Sequence, residues 1–267
     1  MKKADRKQTI VELLQRENGL PVRVIAEKLK VSHMTVRRDV EELVADDLVR
    51  NIHGGVILSP RLTGGHSAGG QVNGPVESPY SLHTAGTKQP EEKRVIGLRA
   101  VELIEDGDTL IIDSGSTTEF LAMHLPEDKN LTVLSYALNI ITQTVKMERV
   151  RSVFAGGVLH QNTLMFESPE GLALIRRFRA AKAFISAAGV SLDLGVTCMN
   201  AYERESKEAA IESAAERILL VDSTKFGVIR SEYFADVDRF DTVVSDSGLD
   251  GRMKAALQER GIRVILA

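Results

Sequence analysis

Leu110-Ile-Ile-Asp-Ser-Gly-Ser-Thr-Thr-Glu-Phe-Leu-Ala-Met-His-Leu125 reads as a buried strand, Leu110 to Asp113, a tight loop, Ser114 to Thr118, and a helix behind it. A short apolar run that ends in a Gly/Ser/Thr turn and passes into a helical pattern fits a strand covered on both faces as it enters its crossover. In such a loop Gly115 lets backbone approach a ligand, the hydroxyls of Ser114, Ser116, Thr117 and Thr118 donate hydrogen bonds, and the helix start offers unpaired N–H groups to an anion. Phosphate suits it. An ordinary Ser/Thr turn capping a helix has the same spacing, so both readings stand. No Gly-Lys-Ser/Thr follows and no Gly-x-Gly-x-x-Gly occurs, which argues against a nucleoside triphosphatase and a dinucleotide enzyme.

Outward from this stretch, Ala183-Phe-Ile-Ser186, Ile218-Leu-Leu-Val-Asp222, Asp241-Thr-Val-Val-Ser245 and Ile262-Arg-Val-Ile-Leu266 repeat the apolar run, alternating with amphipathic segments. That alternation predicts an α/β domain, a mostly parallel sheet covered by helices, over 91–267. Ligands of open parallel sheets bind beyond the carboxyl ends of the strands. Tyr136, Gly156, Gly157 and the Asp222-Ser-Thr-Lys225 turn all sit where a strand runs out. Lys225 is the natural cation for a phosphate, and Asp113 can accept from sugar hydroxyls. Lys207 lies in Glu203-Arg-Glu-Ser-Lys-Glu208, a run that on charge pattern alone reads as a solvated ion-pair face.

Before this domain, 62–90 contains six glycines, three prolines and only two charged residues, Glu77 and Lys88. It shows neither helical nor strand periodicity and is expected to be a linker. Residues 1–61 carry 12 Lys+Arg against 9 Asp+Glu, a balance of +3, whereas the whole chain of 267 residues has a net charge of −3. The front is the basic end, as a polyanion partner would require.

Within it, Ile10, Val11, Leu13 and Leu14 form the stripe of a first helix that Asn18-Gly19 closes. A short second helix follows Pro21, and Ser32 can cap a third. On that third helix Val36, Val40, Leu43 and Val44 cluster on one face, leaving Ser32, His33, Met34, Thr35, Arg37 and Arg38 at the start and outer side. Guanidinium groups grip guanine edges or phosphates, and Thr or Met can touch a thymine methyl, so this helix suits a major groove. Two β-prone runs around His53-Gly-Gly55 then make a wing, whose Arg50 and His53 can hold phosphate without reading sequence.

Val31-Ser-His-Met-Thr-Val-Arg-Arg-Asp39, with Leu48-Val-Arg50 and His53-Gly-Gly55, resembles the winged helix-turn-helix signature of the DeoR family of bacterial transcriptional regulators. Glu92-Lys93, Asp113 to Thr118, Gly156-Gly157, Gly195-Val-Thr197, Lys207 and Asp222 to Phe226 resemble the sensor-domain pattern of the same family. The resemblance implies a repressor of a sugar or nucleoside catabolic operon, bound to double-stranded operator DNA and controlled by a phosphorylated sugar. It also implies a sensor fold similar to ribose-5-phosphate isomerase and glucosamine-6-phosphate deaminase. Its effector contacts fall on Asp113, Ser114, Gly115, Ser116, Thr117, Thr118, Tyr136, Gly156, Gly157, Lys207 and Lys225. Ser135-Tyr136-Ala137 stands where the family usually has Thr-Asn-Ser, and His83 stands near a common arginine. Tyr136 to Asn139, Gly156 to His160 and Ser186 to Val190 with Thr197 to Asn200 are most similar to the deoxyribonucleoside-regulator branch, which implies 2-deoxyribose 5-phosphate.

The alternatives are a sugar-phosphate isomerase or deaminase with a DNA-binding appendage, a transcriptional activator, and a DNA-binding protein without effector. An isomerase needs a carboxylate placed to move a proton and a cation for the enediolate oxygen. Asp193, Glu203, Glu205, Lys207 and Lys225 supply the types. No metal or cofactor is expected, since the single cysteine, Cys198, has no partner and six histidines are scattered. No apolar run of about 18 residues predicts a membrane span, and no apolar segment follows the charged start, so a cytoplasmic location is expected. Palindromic operators further predict a homodimer or higher homo-oligomer.

Overall fold

The computed structural model describes residues 3–17, 19–52, 55–59 and 81–267. The first part comprises α1 (Lys3–Glu17), β1 (Leu20–Pro21), α2 (Val22–Leu29), α3 (His33–Ala45), β2 (Val49–Ile52) and β3 (Gly55–Leu58). Lys30, in a left-handed conformation, caps α2 through bonds to the Ala26 and Glu27 carbonyls, and Ser32 caps α3 by accepting from the Thr35 N–H. The two caps set the turn between helices. Ile10, Leu14, Ile25, Val36, Val40 and Leu43 close one core with Val49 and Val56 of the hairpin. Fully burying each such Leu or Ile contributes about 1.5–3 kcal/mol. The expected helix, helix and wing are present, and β1 adds a strand that composition did not reveal: the sheet order is β1-β3-β2. The wing turn at His53 and Gly54, and the Asn18 helix stop, lie outside the described residues.

The second part runs α4 (Leu82–Gly86), α5 (Pro90–Val101), β4 (Thr109–Ile112), α6 (Ser116–Met123), β5 (Leu131–Ser135), α7 (Leu138–Thr144), β6 (Val150–Phe154), β7 (Val158–His160) and β8 (Met165–Glu167). It continues with α8 (Pro169–Arg177), β9 (Ala180–Ser186), β10 (Gly189–Ser191), β11 (Gly195–Cys198), α9 (Ala201–Glu212), β12 (Ala214–Leu220), β13 (Glu232–Ala235), β14 (Thr242–Ser245), α10 (Gly251–Glu259) and β15 (Arg263–Leu266). Seven strands form a parallel sheet in the order β15-β14-β12-β9-β4-β5-β6. Leu110 and Ile112 pack into the core on one face and Ile111 into the core on the other. Burial on both sides is why these strands read as unbroken apolar runs.

From β4 the chain winds one way through β5 to β6, then returns to β9 on the other side of β4. The order therefore reverses between β4 and β9, and the crevice of an open α/β sheet opens there. A small antiparallel sheet, β10-β11-β13, rises beside it. One expectation is corrected: the stretch read as featureless up to Pro90 contains α4, whose Leu82 is buried and whose Leu82 N–H bonds to the Asn162 carbonyl at 2.6 Å. A five-residue helix is too short to carry a periodicity. Among the described residues no helix is long and apolar enough to cross a membrane.

Candidate functional site

Two arrangements carry chemistry. On α3, Ser32, His33, Met34, Arg37 and Arg38 are exposed, and Thr35 is half-buried with its hydroxyl 2.8 Å from that of Ser32. Neither Arg37 nor Arg38 has an ion-pair partner among the described residues. Arg50 on β2 of the hairpin is exposed. His53 lies outside the described residues. The inward face differs from expectation at one position, because Val44 is 37% exposed while Asp39 is buried. Asp39 falls with Val36, Val40 and Leu43 at helical spacing, and Arg6 of α1 grips both its carboxylate oxygens, Nη2 at 2.9 Å. Lys3 and Lys7 of α1 pair with Glu42 on the same helix. The first helix thus braces the third from behind, leaving an outer surface with two unpaired guanidinium groups, the shape and charge a major groove accepts.

The second arrangement is a cavity of about 350 Å³ at the β4–β9 crevice. Ser114, Gly115, Ser116 and Thr117 form one wall. The helix α6 starts at Ser116, earlier than the sequence pattern places it, and Gly115 provides no side-chain cap. The first-turn N–H groups of α6 are therefore left to a ligand. A Cβ on Gly115 would lie 2.5 Å from Ser186 Oγ, so only glycine lets this turn close onto β9. Facing it are cations from four segments: Lys88, Lys93, Lys225 and Arg230, with Lys207 at the base.

Lys207 is 1% exposed, not the solvated residue its acidic neighbours suggest. It donates to Asp113 Oδ2 and, at 3.1 Å, to the Ser186 carbonyl, with Glu203 Oε2 3.9 Å away. Burial by itself lowers such an ammonium, but the Asp113 and Glu203 carboxylates outweigh it and hold the group above its ordinary value. Lys93 is tuned the other way: burial, with the nearby positive charges of Lys225 and Lys88, brings it down to about 8 against the pull of Asp222. Its Nζ donates to the carbonyls of Ala85 and, at 2.6 Å, Lys88, so it ties α4 to the cavity rim.

Several expected contacts are corrected. Asp113 lies beneath the wall, not on it: Oδ1 accepts from Tyr136 OH at 2.7 Å, and Oδ2 accepts from Ser186 N–H and Oγ at 2.9 Å as well as from Lys207. No lone pair is left facing outward. Tyr136, fully buried, is spent on that bond; burial and then the Asp113 charge raise its phenol well above the ordinary value. Thr118 likewise turns inward, donating to the carbonyls of Asp113 at 2.7 Å and Gly115 at 3.0 Å. Gly156 and Gly157 do not reach the cavity. They follow β6, the sheet edge two strands from β4, where the Gly156 carbonyl accepts from Ser168.

Lys88, Lys93, Ser186 and Arg230 are cavity residues the sequence reading did not propose for the ligand, and Glu203, offered only for the isomerase alternative, joins them. Each carboxylate that reaches the cavity is anchored through one oxygen. Glu203 accepts from Asn200 N–H and side chain at 3.0 and 2.8 Å, and Asp222 holds Thr224 N–H at 3.1 Å with Lys225 at 3.5 Å. Cys198 on the wall is buried, which pushes its thiol up to about 12. Among the described residues no group of three or more His, Cys, Asp or Glu is placed to hold a metal.

Residues 6–61 match the DeoR-like helix-turn-helix domain and residues 88–247 the DeoR C terminal sensor domain. The chain is 31% identical over 237 residues to the deoxyribose operon repressor of Escherichia coli, covering 89% of this chain and 88% of that protein. It is also similar to the transcriptional regulators GolR of Listeria innocua, at 26% with 98% of each chain covered, and IolR of Bacillus subtilis, at 29% with 91% of each covered. Among solved structures, ribose 5-phosphate isomerase from Methanocaldococcus jannaschii aligns over 52% of this chain and 55% of that chain, with 16% identity and a TM-score of 0.39.

Proposed function

The chain belongs to the DeoR family of helix-turn-helix transcriptional regulators, and from that premise we propose that it is a repressor released from its operator by a phosphorylated sugar. Residues 1–61 are the DNA-binding unit, 91–267 the sensor, and the stretch between them the connection, whose last part, α4 with Lys88, packs with the sensor at the cavity. In this reading Ser32 to Thr35, Arg37 and Arg38 enter the major groove, while Arg50 and His53 hold phosphates of the duplex backbone. One observation carries the effector assignment: the uncapped start of α6 and the cations Lys93, Lys225 and Arg230 face a single cavity. Convergent N–H groups and cations recognise a phosphate dianion, and the hydroxyls of Ser114, Ser116, Thr117 and Ser186 suit the sugar.

The relative from Escherichia coli is named for a deoxyribose operon, and 2-deoxyribose 5-phosphate is accordingly the leading effector. A regulator, rather than an isomerase, also agrees with Asp113, whose carboxylate lies beneath the cavity wall and accepts four hydrogen bonds, so it is not poised to shuttle a proton between sugar carbons. A palindromic operator would call for a dimer or higher homo-oligomer.

The test is a titration of the purified chain with 2-deoxyribose 5-phosphate, ribose 5-phosphate, glucose 6-phosphate and inorganic phosphate, read by calorimetry and by affinity for a footprinted promoter. The expected result is stoichiometric binding of a sugar phosphate without product, with operator affinity falling about tenfold or more, which is a coupling of about 1.4 kcal/mol. Operator occupancy indifferent to every sugar phosphate sinks the effector reading.

A further inference from the structure

The cavity and the DNA-binding part share a physical connection. The hairpin β10–β11 borders the cavity at one end with Ala188 and Cys198, and the segment after Lys225 borders it with Arg230. The two are bonded into one unit. Arg230 N–H donates to Thr197 Oγ1 at 3.0 Å, Gly227 N–H to the Val190 carbonyl at 2.8 Å, and Thr197 Oγ1 to the Gly189 carbonyl at 3.2 Å. Gly189 lies so close to residue 228 that a Cβ there would sit 2.4 Å from the Val228 carbonyl oxygen.

The other end of this unit rests on the helix-turn-helix sheet. Leu194, at the hairpin tip and 4% exposed, reaches Gly55 so closely that a Cβ on Gly55 would meet Leu194 Cδ2 at 2.6 Å. Ile229, next to Arg230, does the same at Gly19, where a Cβ would meet Ile229 Cδ1 at 2.7 Å. Gly19 immediately precedes β1 and Gly55 belongs to the β1–β3 pairing, in which Leu20 faces Val56 and Pro21 faces Gly55. β1 runs directly into α2, and β3 pairs with β2, which carries Arg50. A shift at these two contacts is therefore applied to both the helix pair and the wing, because a packed interface yields as a unit.

We infer that the β10–β11 hairpin and the 226–230 segment form the strut through which occupancy of the cavity reaches the DNA-binding part, with Arg230 at the ligand end and Leu194 and Ile229 at the other. This rests on the reading that a sugar phosphate fills the cavity. A ligand drawing the Arg230 guanidinium inward moves Ile229 in the adjacent position, and a hairpin held to that segment by two hydrogen bonds moves Leu194 with it. Coupling of this kind is reciprocal, so operator binding must equally alter the hairpin.

The experiment uses the full chain and the variants Leu194→Ala and Ile229→Ala. Operator affinity is measured with and without 2-deoxyribose 5-phosphate, and affinity for the sugar phosphate is measured without DNA. The expected result is sugar-phosphate affinity within about threefold of wild type in both variants while the effector-induced change in operator affinity, about tenfold or more in wild type, falls toward one. Retention of the wild-type ratio in both overturns the proposal. If thermal unfolding shows Leu194→Ala misfolded, the half-buried Ile229 carries the test by itself. A second arm needs no effector: operator binding alone changes amide hydrogen exchange over 189–198 in wild type and changes it less in Leu194→Ala and Ile229→Ala. Unchanged exchange in wild type overturns the strut. Should no sugar phosphate act on wild type, the effector reading fails while this arm still judges the strut.

Discussion

Lys207 on α9 and Asp113 after β4, ninety-four residues apart, form an ion pair with side-chain exposures of 1% and 0%. The pair joins the helix behind the sheet to the crevice between β4 and β9, and Tyr136 and Ser186 fill what remains of the carboxylate's capacity. It is a buried network with every member satisfied, which specifies one arrangement of the cavity floor and penalises any partial loss.

Lys207→Met is accordingly expected to destabilise the protein by about 3–5 kcal/mol, because it leaves an uncompensated buried carboxylate. The double variant Lys207→Met with Asp113→Asn removes both charges and is expected to lose less than the single one. Urea unfolding of the single and double variants measures the difference. Equal losses would mean that the pair interacts weakly.

Gly115→Ala places a Cβ 2.5 Å from Ser186 Oγ and 2.7 Å from Ser186 Cβ, so the α6 turn must move away from β9. Overpacking of this kind costs about 1–3 kcal/mol. Calorimetry with the sugar phosphate is expected to show binding lost, while gel-shift affinity for the operator stays within a few-fold. A variant that binds effector normally removes the turn from the ligand's contacts.

The five apolar runs were legible because a parallel strand covered on both faces is mostly apolar along its length, and each became a strand of the main sheet. The cap at Ser32 and the outer face of α3 were legible because both are local. What stayed hidden was non-local. Lys93 and Arg230 share a cavity with Gly115 through the topology, and no short spacing announces that. Lys207 was masked by its acidic neighbours, yet Ala210 and Ile211, three and four positions on, are buried with it and marked its face as inward. Gly156 and Gly157 follow β6, the sheet edge two strands from β4, and a strand end alone does not say how far along the sheet its strand lies from the crevice.

Arg38 and Asp39 are neighbours with opposite fates, one exposed and one buried against Arg6. Arg38→Ala is expected to leave the thermal midpoint unchanged and to weaken operator binding by about 1–3 kcal/mol if the guanidinium reads a base edge. Asp39→Ala is expected to lower stability, since it strands the Arg6 fork, and to weaken DNA binding only through the tilt of α3. Raising salt separates phosphate contacts from base contacts: loss of a phosphate contact lowers the salt slope by about one, and loss of a base contact leaves it nearly unchanged.

Lys93 offers a pH signature. Burial first, then the charges of Lys225 and Lys88, bring its ammonium down to about 8, while Asp222 acts the other way. A bound phosphate dianion adds negative charge beside it and raises that value, so binding takes up a proton wherever free Lys93 is partly deprotonated and the complex is not. The sign follows: below about pH 8 the ammonium is already present and affinity is flat, whereas above it affinity falls, approaching tenfold per pH unit. A sugar phosphate is a dianion throughout pH 7–9.5, since its second ionisation lies near 6, so its own titration contributes nothing to the slope. Calorimetry at pH 8.5 in two buffers of different ionisation enthalpy measures the proton uptake directly. Lys93→Arg, which keeps its charge across this range, is expected to flatten the profile. An identical fall in affinity for this variant would assign the titration to another group in the cavity.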